Sequence, residues 1–151
     1  MGTRRTKHIG RALLNRAGDP YLSVWEIDFT TRESRERNGH LRDISKEVAI
    51  EKEVTQILRE NFSFRFIEVA DQSHRMGGEG LERALIGTLT SCHLCWRSAE
   101  WLGSFSPKRQ IRDSGLWLVQ HLHAAPLSPA QQQLFIKSIG TRKLPGNAGC
   151  S

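Results

Sequence analysis

The feature that most constrains the fold is a long amphipathic segment in the middle of the chain, residues 41–61. Its apolar side chains recur at helical spacing: Leu41, Ile44, Val48, Val54, Ile57 and Leu58. Acidic and basic residues alternate along the opposite side of the segment. A period near 3.6 residues with a charged outer face is typical of a helix that packs one side on a core. The rest of the chain therefore has to cover this apolar face.

Three further helices are predicted. Residues 1–17 are basic and amphipathic, with apolar side chains at helical spacing, and the segment ends near Gly18. Residues 81–90 are mostly apolar, and residues 128–139 open with Ser-Pro, a pair that caps and starts helices. In residues 81–90 the side chains predicted to face the core are Leu81, Leu85, Ile86 and Leu89.

Two segments favour strands, because apolar and polar residues alternate in residues 21–29 and in residues 62–69. The polar, highly charged stretch at residues 30–40 is interpreted as a loop. Helices and strands together predict an α/β (α+β) fold, with a small sheet flanked by helices. We expect a single domain over residues 1–140 and a flexible tail over residues 141–151.

The length and net charge of the chain limit the classes of function that it can have. The 151 residues suit one domain, and 22 Lys and Arg against 16 Asp and Glu give a net charge of +6. Such an excess favours a polyanionic partner. No apolar run reaches the roughly 20 residues that span a bilayer, and the basic N-terminus has no signal-peptide core. We therefore expect a cytoplasmic protein with no membrane partner.

The segment with the most chemical information is residues 80–89, followed by Trp101-Leu102-Gly103 and by Ser114-Gly115-Leu116-Trp117. Glu82 lies at the start of the apolar helix. A carboxylate there can simply complement the helix dipole or cap free backbone amides. That structural role is the alternative against which any chemistry of Glu82 has to be weighed.

These residues resemble the later half of GIY-YIG nucleases, especially the restriction-enzyme-like and uncharacterised bacterial branch. The similarity runs from about His8 to His123 and includes the segment His8–Leu14. It implies a Mg²⁺-dependent DNA endonuclease. Glu82 corresponds to the family's metal-binding carboxylate, and the resemblance makes it the candidate catalytic residue, with Leu81, Leu85 and Ile86 packing around it.

The chain also departs from that family. The two strands that bear Gly-Ile-Tyr and Tyr-Ile-Gly are absent, and the single tyrosine, Tyr21, has neither context. No residue is assigned as the catalytic arginine of the family's first helix, and Glu100 stands where an asparagine is common. We therefore expect a GIY-YIG-like fold without its first hairpin and first helix. One carboxylate can hold Mg²⁺ weakly but cannot stabilise the transition state, so this chain should be nearly inactive.

A basic cluster is the candidate nucleic-acid site. It consists of Arg97, Lys108, Arg109 and Arg112, around an irregular loop expected near Glu82. The functional interpretation is a phosphate clamp for DNA, and the structural one is an ordinary solvated surface.

Two other functions remain open. The first is a non-catalytic DNA-binding or interaction protein derived from the same fold. The second is a small zinc-binding domain, because Cys92 and Cys95 have zinc-ligand spacing and His121 with His123 would complete four ligands. Zinc is the less favoured of the two. The oligomeric state stays undetermined.

Overall fold

The structure is a computed structural model, and it describes residues 4–63, 80–94 and 97–140. Its α-helices are α1 (Arg4–Arg16), α2 (Leu22–Trp25), α3 (Arg32–Asn38), α4 (Ile44–Asn61), α5 (Leu81–Ser91), α6 (Arg109–Ser114) and α7 (Pro129–Gly140). Two 3₁₀ helices lie at Gly39–Leu41 and Leu102–Phe105. These residues contain no strand, so the predicted α/β fold with a small sheet is wrong.

The chain divides into two compact units. The first unit is Met1–Ser63 with Trp96–Gln120, and the second is Phe64–Cys95 with His121–Ser151. The expectation of a single domain over residues 1–140 stays a prediction. None of the helices in the described ranges is long and apolar enough to cross a membrane.

The core of the first unit lies between α1 and α4. Ile9, Leu13 and Leu14 of α1 are buried against Ile50 and Val54 of α4. Both helices were predicted from their spacing. The buried face of α4 differs from the predicted one at its N-terminal end, where Ile44 and Val48 are exposed, and Leu41, which lies before α4 in a 3₁₀ helix, is exposed as well.

The expected strand at residues 21–29 is instead a turn followed by the short helix α2. The Asp19 carboxylate accepts a hydrogen bond from the backbone N–H of Tyr21 at 2.9 Å, which starts the turn. Trp25 then packs so closely on α1 that a Cβ at Gly10 would lie 2.7 Å from its ring. Trp25 is thus half-buried against a helix, and no sheet is needed to cover its ring.

The expected loop at residues 30–40 contains a helix, α3. The Thr31 side chain caps it by accepting from the backbone N–H of Ser34 at 3.2 Å. Two exposed ion pairs lie along it, and each joins residues one turn apart at 2.7 Å: Arg32 with Glu36, and Arg37 with Glu33. The high charge that favoured a loop therefore supports a solvent-exposed helix.

The second expected strand, residues 62–69, falls mostly outside the described residues. Phe62 and Ser63 follow α4, and the backbone of Phe62 is extended, with φ −116° and ψ 134°. Residues 64–69 and the tail at residues 141–151 are not among the residues that the structure describes.

The second unit is built on α5, which lies where the sequence predicts it. Its buried residues are Leu81, Ala84, Ile86 and Gly87. Leu85 is half-buried and Leu89 is 46% exposed, so the prediction that Leu89 faces the core is wrong. Gly87 lets another segment approach closely, because a Cβ there would lie 2.3 Å from the backbone oxygen of Ala124.

The last helix, α7, is also confirmed. The Ser128 hydroxyl accepts from the backbone N–H of Gln131 at 3.3 Å. In return the Gln131 side chain accepts from the backbone N–H of Ser128 at 2.9 Å. This reciprocal pair is a capping box, and it fixes the start of the helix at Pro129.

Candidate nucleic-acid interface

Two of the four predicted phosphate ligands hold the loop that carries them. Arg97 donates through Nη1 to the backbone oxygen of Arg112 at 2.6 Å. Arg112 in turn donates through Nη1 to the backbone oxygen of Ser106 at 2.6 Å. A guanidinium has five N–H donors, and a bond to a carbonyl leaves its charge in place. Both arginines therefore have a structural role and keep their positive charge.

The other two cations are less constrained. Lys108 is half-buried at the start of α6, and its backbone N–H donates to the Ser106 hydroxyl at 3.2 Å. Arg109 pairs with Asp113 one turn along α6, with Nε 3.0 Å from the carboxylate. Both partners of that pair are largely exposed, so the ion pair contributes little and a phosphate can displace the carboxylate.

The tryptophan and glycine motifs of the sequence form the support of this loop. The rings of Trp101 and Trp117 lie 5.2 Å apart and are inclined at 57°. The Arg97 guanidinium lies 5.9 Å from the centre of the Trp101 ring, within cation–π range. Gly103 packs on the same ring, where a Cβ would come within 2.2 Å. The packing of Trp101 thus helps to position Arg97.

Sequence reasoning missed two further basic groups, His8 and Arg11, which lie on α1. The Nη1 of Arg11 is 3.2 Å from the Nδ1 of His8. The side chain of Arg11 is 13% exposed, and its Nε lies 3.1 Å from a Glu26 carboxylate oxygen. Burial lowers the pKa of His8, and the charges of Arg11 and Lys108 lower it further. The spacing of His8 and Arg11, three residues apart on a predicted helix, was the available signal.

We call the segment that carries Arg97, Lys108, Arg109 and Arg112 the basic loop. Because the charge of Lys108 lowers the pKa of His8, the basic loop lies near α1 within the first unit. A second link is the side chain of Asn15, which donates to the backbone oxygen of Phe105 at 2.9 Å. The segment His8–Leu14, expected to follow the family's first helix, lies inside α1 itself. The basic loop is therefore mounted on a helix that supplies buried core residues to its unit.

Glu82, the predicted metal ligand, lies in the second unit, in the first turn of α5, and is exposed. Gly80 precedes the helix and supplies no side-chain cap. Among the described residues no backbone amide donates to the Glu82 carboxylate, so the capping alternative has no hydrogen bond to support it there. The four cations belong to the first unit, and the expected shared cleft stays a prediction.

Tyr21, the only tyrosine in the chain, has its hydroxyl fully engaged. It donates to Glu47 at 2.8 Å and accepts from the backbone N–H of Asp43 at 2.9 Å. Burial, together with the neighbouring acidic groups, raises the pKa of Tyr21. Arg42 also binds Glu47, with Nε 3.0 Å from the carboxylate. This group of side chains joins three elements of the first unit.

The zinc alternative concerns residues of the second unit. Cys95 lies outside the described residues, and Cys92 is half-buried. The Thr90 hydroxyl donates to the backbone oxygen of Leu122 at 2.8 Å, which brings the end of α5 beside the His121–His123 segment. In the ranges that the structure describes, no three His, Cys, Asp or Glu side chains are grouped closely enough to hold a metal ion.

Comparison with known proteins gives one match. The sequence model of a family described as the GIY-YIG domain matches residues 4–143 of this chain. No curated protein and no solved structure matches it.

Proposed function

The chain belongs to the GIY-YIG domain family, and from this premise we propose that it is an endonuclease-type domain that binds DNA through the basic loop of its first unit. The observation that carries the proposal is the mounting of Arg97, Lys108, Arg109 and Arg112 on one braced segment. A net charge of +6 supports attraction to a polyanion.

Binding is assigned chiefly to Lys108 and Arg109. Neither side chain donates to a backbone carbonyl among the described residues, and the exposed partner of Arg109 is a surface carboxylate. Arg97 and Arg112 contribute charge, but their first task is to hold the loop. Contacts of this kind go to phosphate oxygens, so they give affinity without sequence preference.

Glu82 is proposed as the carboxylate that holds Mg²⁺. An exposed single carboxylate fits that ion, which keeps most of its water and uses few protein ligands. When bound, the ion would help to neutralise charge on a phosphodiester. The chain's own contribution at this position is a negative charge at the head of α5.

Hydrolysis by these residues alone is expected to be very slow. The single tyrosine is bound to Glu47 and to the Asp43 amide, and its raised pKa makes it a poor activator of a nucleophile. We therefore propose DNA binding as the main activity of this chain, and a non-catalytic DNA-binding protein is the second candidate.

The binding test compares two pairs of cations in the first unit. Neutralising Lys108→Gln with Arg109→Gln should weaken binding to duplex DNA. The slope of log affinity against log salt should become less negative by about 0.9 for each phosphate that is no longer neutralised. The matched control is Arg32→Gln with Arg37→Gln, which removes two positive charges from ion-paired positions on α3. Fluorescence anisotropy over a salt series measures both.

The two double variants also distinguish binding at the basic loop from binding driven by net charge. Equal weakening by both pairs would mean that net charge alone drives binding, and the basic loop would lose its role. A plasmid-nicking assay with Mg²⁺ tests the chemistry. Nicking that disappears in Glu82→Ala would show an active nuclease and overturn the expectation of slow hydrolysis. Nicking that survives in Glu82→Ala would remove Glu82 from the site.

A further inference from the structure

The basic loop also carries an aromatic side chain that the proposed function leaves without a role. Phe105 ends the 3₁₀ helix Leu102–Phe105 and is 46% exposed. Among the described residues no ring or cation stacks on it. Single exposed apolar residues are common on protein surfaces. What distinguishes Phe105 is the way in which its backbone is held.

The backbone around Phe105 is fixed on both sides. The Phe105 oxygen accepts from the Asn15 side chain of α1 at 2.9 Å. The next residue, Ser106, is fully buried, and its oxygen accepts from Arg112 at 2.6 Å. The backbone N–H of Ser106 donates to Gly103 at 3.0 Å. The backbone that carries the ring is thus held in place, so the exposure of Phe105 does not result from a loose loop.

Phe105 is also flanked in sequence by the cations of the loop. Lys108 follows it by three residues, and Arg112, which braces Ser106, comes from α6. An aromatic ring beside a run of cations is the combination that binds single-stranded nucleic acid: the cations follow the phosphates and the ring stacks on a base. In a regular duplex the faces of the bases are already stacked on each other, and a surface ring has no free base to cover.

We propose that Phe105 stacks on an unpaired base, and that the preferred substrate of the basic loop is therefore single-stranded or locally unpaired DNA. This inference rests on the proposed DNA binding, and it adds the class of substrate. Lys108 and Arg109 bind the backbone of either form of DNA, whereas Phe105 distinguishes the two. Because every base has a stacking face, the preference should depend little on sequence.

The experiment measures the binding of the full chain to a fluorescent oligothymidylate strand and to the same strand paired with oligoadenylate. Phe105→Ala should weaken single-strand binding by about 5- to 150-fold, the range expected for the loss of one stacked base. Duplex binding should change by less than about twofold. Phe105→Trp should keep the preference, because it also provides a flat ring.

The matched control is Leu41→Ala. Leu41 also ends a 3₁₀ helix of the first unit, and it is 43% exposed, close to the 46% of Phe105. It should leave both affinities unchanged. A strand that contains 2-aminopurine adds a direct signal, since stacking quenches its fluorescence. The quenching should appear with the wild-type chain and be absent in Phe105→Ala.

The outcomes separate this inference from the proposed function. A chain that binds neither strand nor duplex would contradict the proposed DNA binding itself. A chain whose duplex binding depends on Lys108 and Arg109, while Phe105→Ala leaves single-strand affinity unchanged, would contradict only the stacking role. Equal losses on both forms in Phe105→Ala would mean that the ring supports the loop or another partner, and would also overturn the substrate preference.

Discussion

The two units hold their elements together by different means. In the first unit, charged and polar side chains join separate elements, as when Tyr21 and Arg42 both donate to Glu47. In the second unit, the backbone itself approaches α5, with Gly87 against Ala124 and the Thr88 hydroxyl accepting from the backbone N–H of Leu127 at 2.9 Å. Side-chain networks tolerate small shifts, whereas backbone contact does not. The two units should therefore respond to different kinds of substitution.

The largest effect is expected from Gly87→Ala in the second unit. The added Cβ would lie 2.3 Å from the Ala124 oxygen and 2.9 Å from the Ala125 oxygen, and neither is a flexible side-chain end. Overpacking of this kind costs about 1–3 kcal/mol, more than the gain of about 1 kcal/mol from replacing a helical glycine. Hydrogen exchange of the α5 amides measures the loss.

The control for that substitution is Gly39→Ala in the first unit. Gly39 has a helical backbone, with φ −59° and ψ −29°, and nothing lies within 4 Å of the added Cβ. It should leave the protein unchanged or stabilise it by up to about 1 kcal/mol. If Gly87→Ala were equally harmless, the second unit would have to move its backbone readily, and the contrast between the two units would disappear.

The next effect concerns the side-chain network of the first unit. Glu47→Gln should destabilise that unit by about 1–2 kcal/mol, because it weakens hydrogen bonds at a side chain that is 16% exposed. Trp25, Trp101 and Trp117 all lie in the first unit, so tryptophan fluorescence during denaturation reports on it. Glu53→Gln, on the exposed side of the same helix, is the control.

The same network predicts a pH dependence. The hydrogen bond from Arg42 lowers the pKa of Glu47, and the Tyr21 hydroxyl adds to this against the opposing effect of burial. A lowered pKa in the folded state means that the stabilisation is complete above the unfolded value, near 4.3, and is lost as the pH falls through the folded value. Glu47→Gln should therefore flatten the acid side of the stability profile, and an unchanged profile would argue against the network.

A smaller effect should separate the two kinds of cation in the basic loop. Arg112→Gln removes the bond to the carbonyl of the buried Ser106 and should cost about 1 kcal/mol. Arg109→Gln removes only an exposed ion pair and should change stability by less than about 0.5 kcal/mol. Thermal unfolding of both variants measures the difference. Similar losses would mean that Arg109 also supports the loop.

The helices that could be predicted from sequence carry their own signals. α4 and α5 show long apolar periodicity, and α7 opens with the Ser128–Pro129 pair that caps it. The signals of α3 were also present, namely a Thr31 cap and charges four residues apart, but its lack of apolar residues favoured a loop. Local capping and charge spacing are sufficient to form a short exposed helix.

The predicted strand at residues 21–29 was wrong because a tertiary contact decides its structure. Alternation over so few residues fits a strand, but Trp25 is covered by α1 at Gly10, outside the segment whose pattern was considered. The candidate site shows the same limit. Composition identified the four cations, but it could not show that Arg97 and Arg112 bind backbone carbonyls while Arg109 faces solvent.

The smallest expected effect is a change in the pKa of His8, which reports on the charge of the basic loop. Burial lowers the pKa of His8 first, then the charge of Arg11 and that of Lys108, while Glu26 opposes them. Lys108→Gln removes one of the depressing charges, so the pKa of His8 should rise. Arg109 is exposed and paired with Asp113, so Arg109→Gln should change the pKa of His8 by less than Lys108→Gln. An NMR titration of the His8 ring measures both variants.

The same titration tests the contact with DNA and gives a sign for stability. A phosphate bound at Lys108 screens its charge, so DNA should raise the pKa of His8 in the wild-type chain and have less effect in Lys108→Gln. Because the folded pKa lies below the unfolded value near 6.5, the unfolded chain takes up the proton first, and the first unit loses stability as the pH falls from the unfolded value to the folded one. Lys108→Gln should reduce that loss. If DNA binds and the pKa of His8 stays constant, the phosphate does not bind at Lys108, and the part of the first unit beside α1 would lose its proposed role in binding.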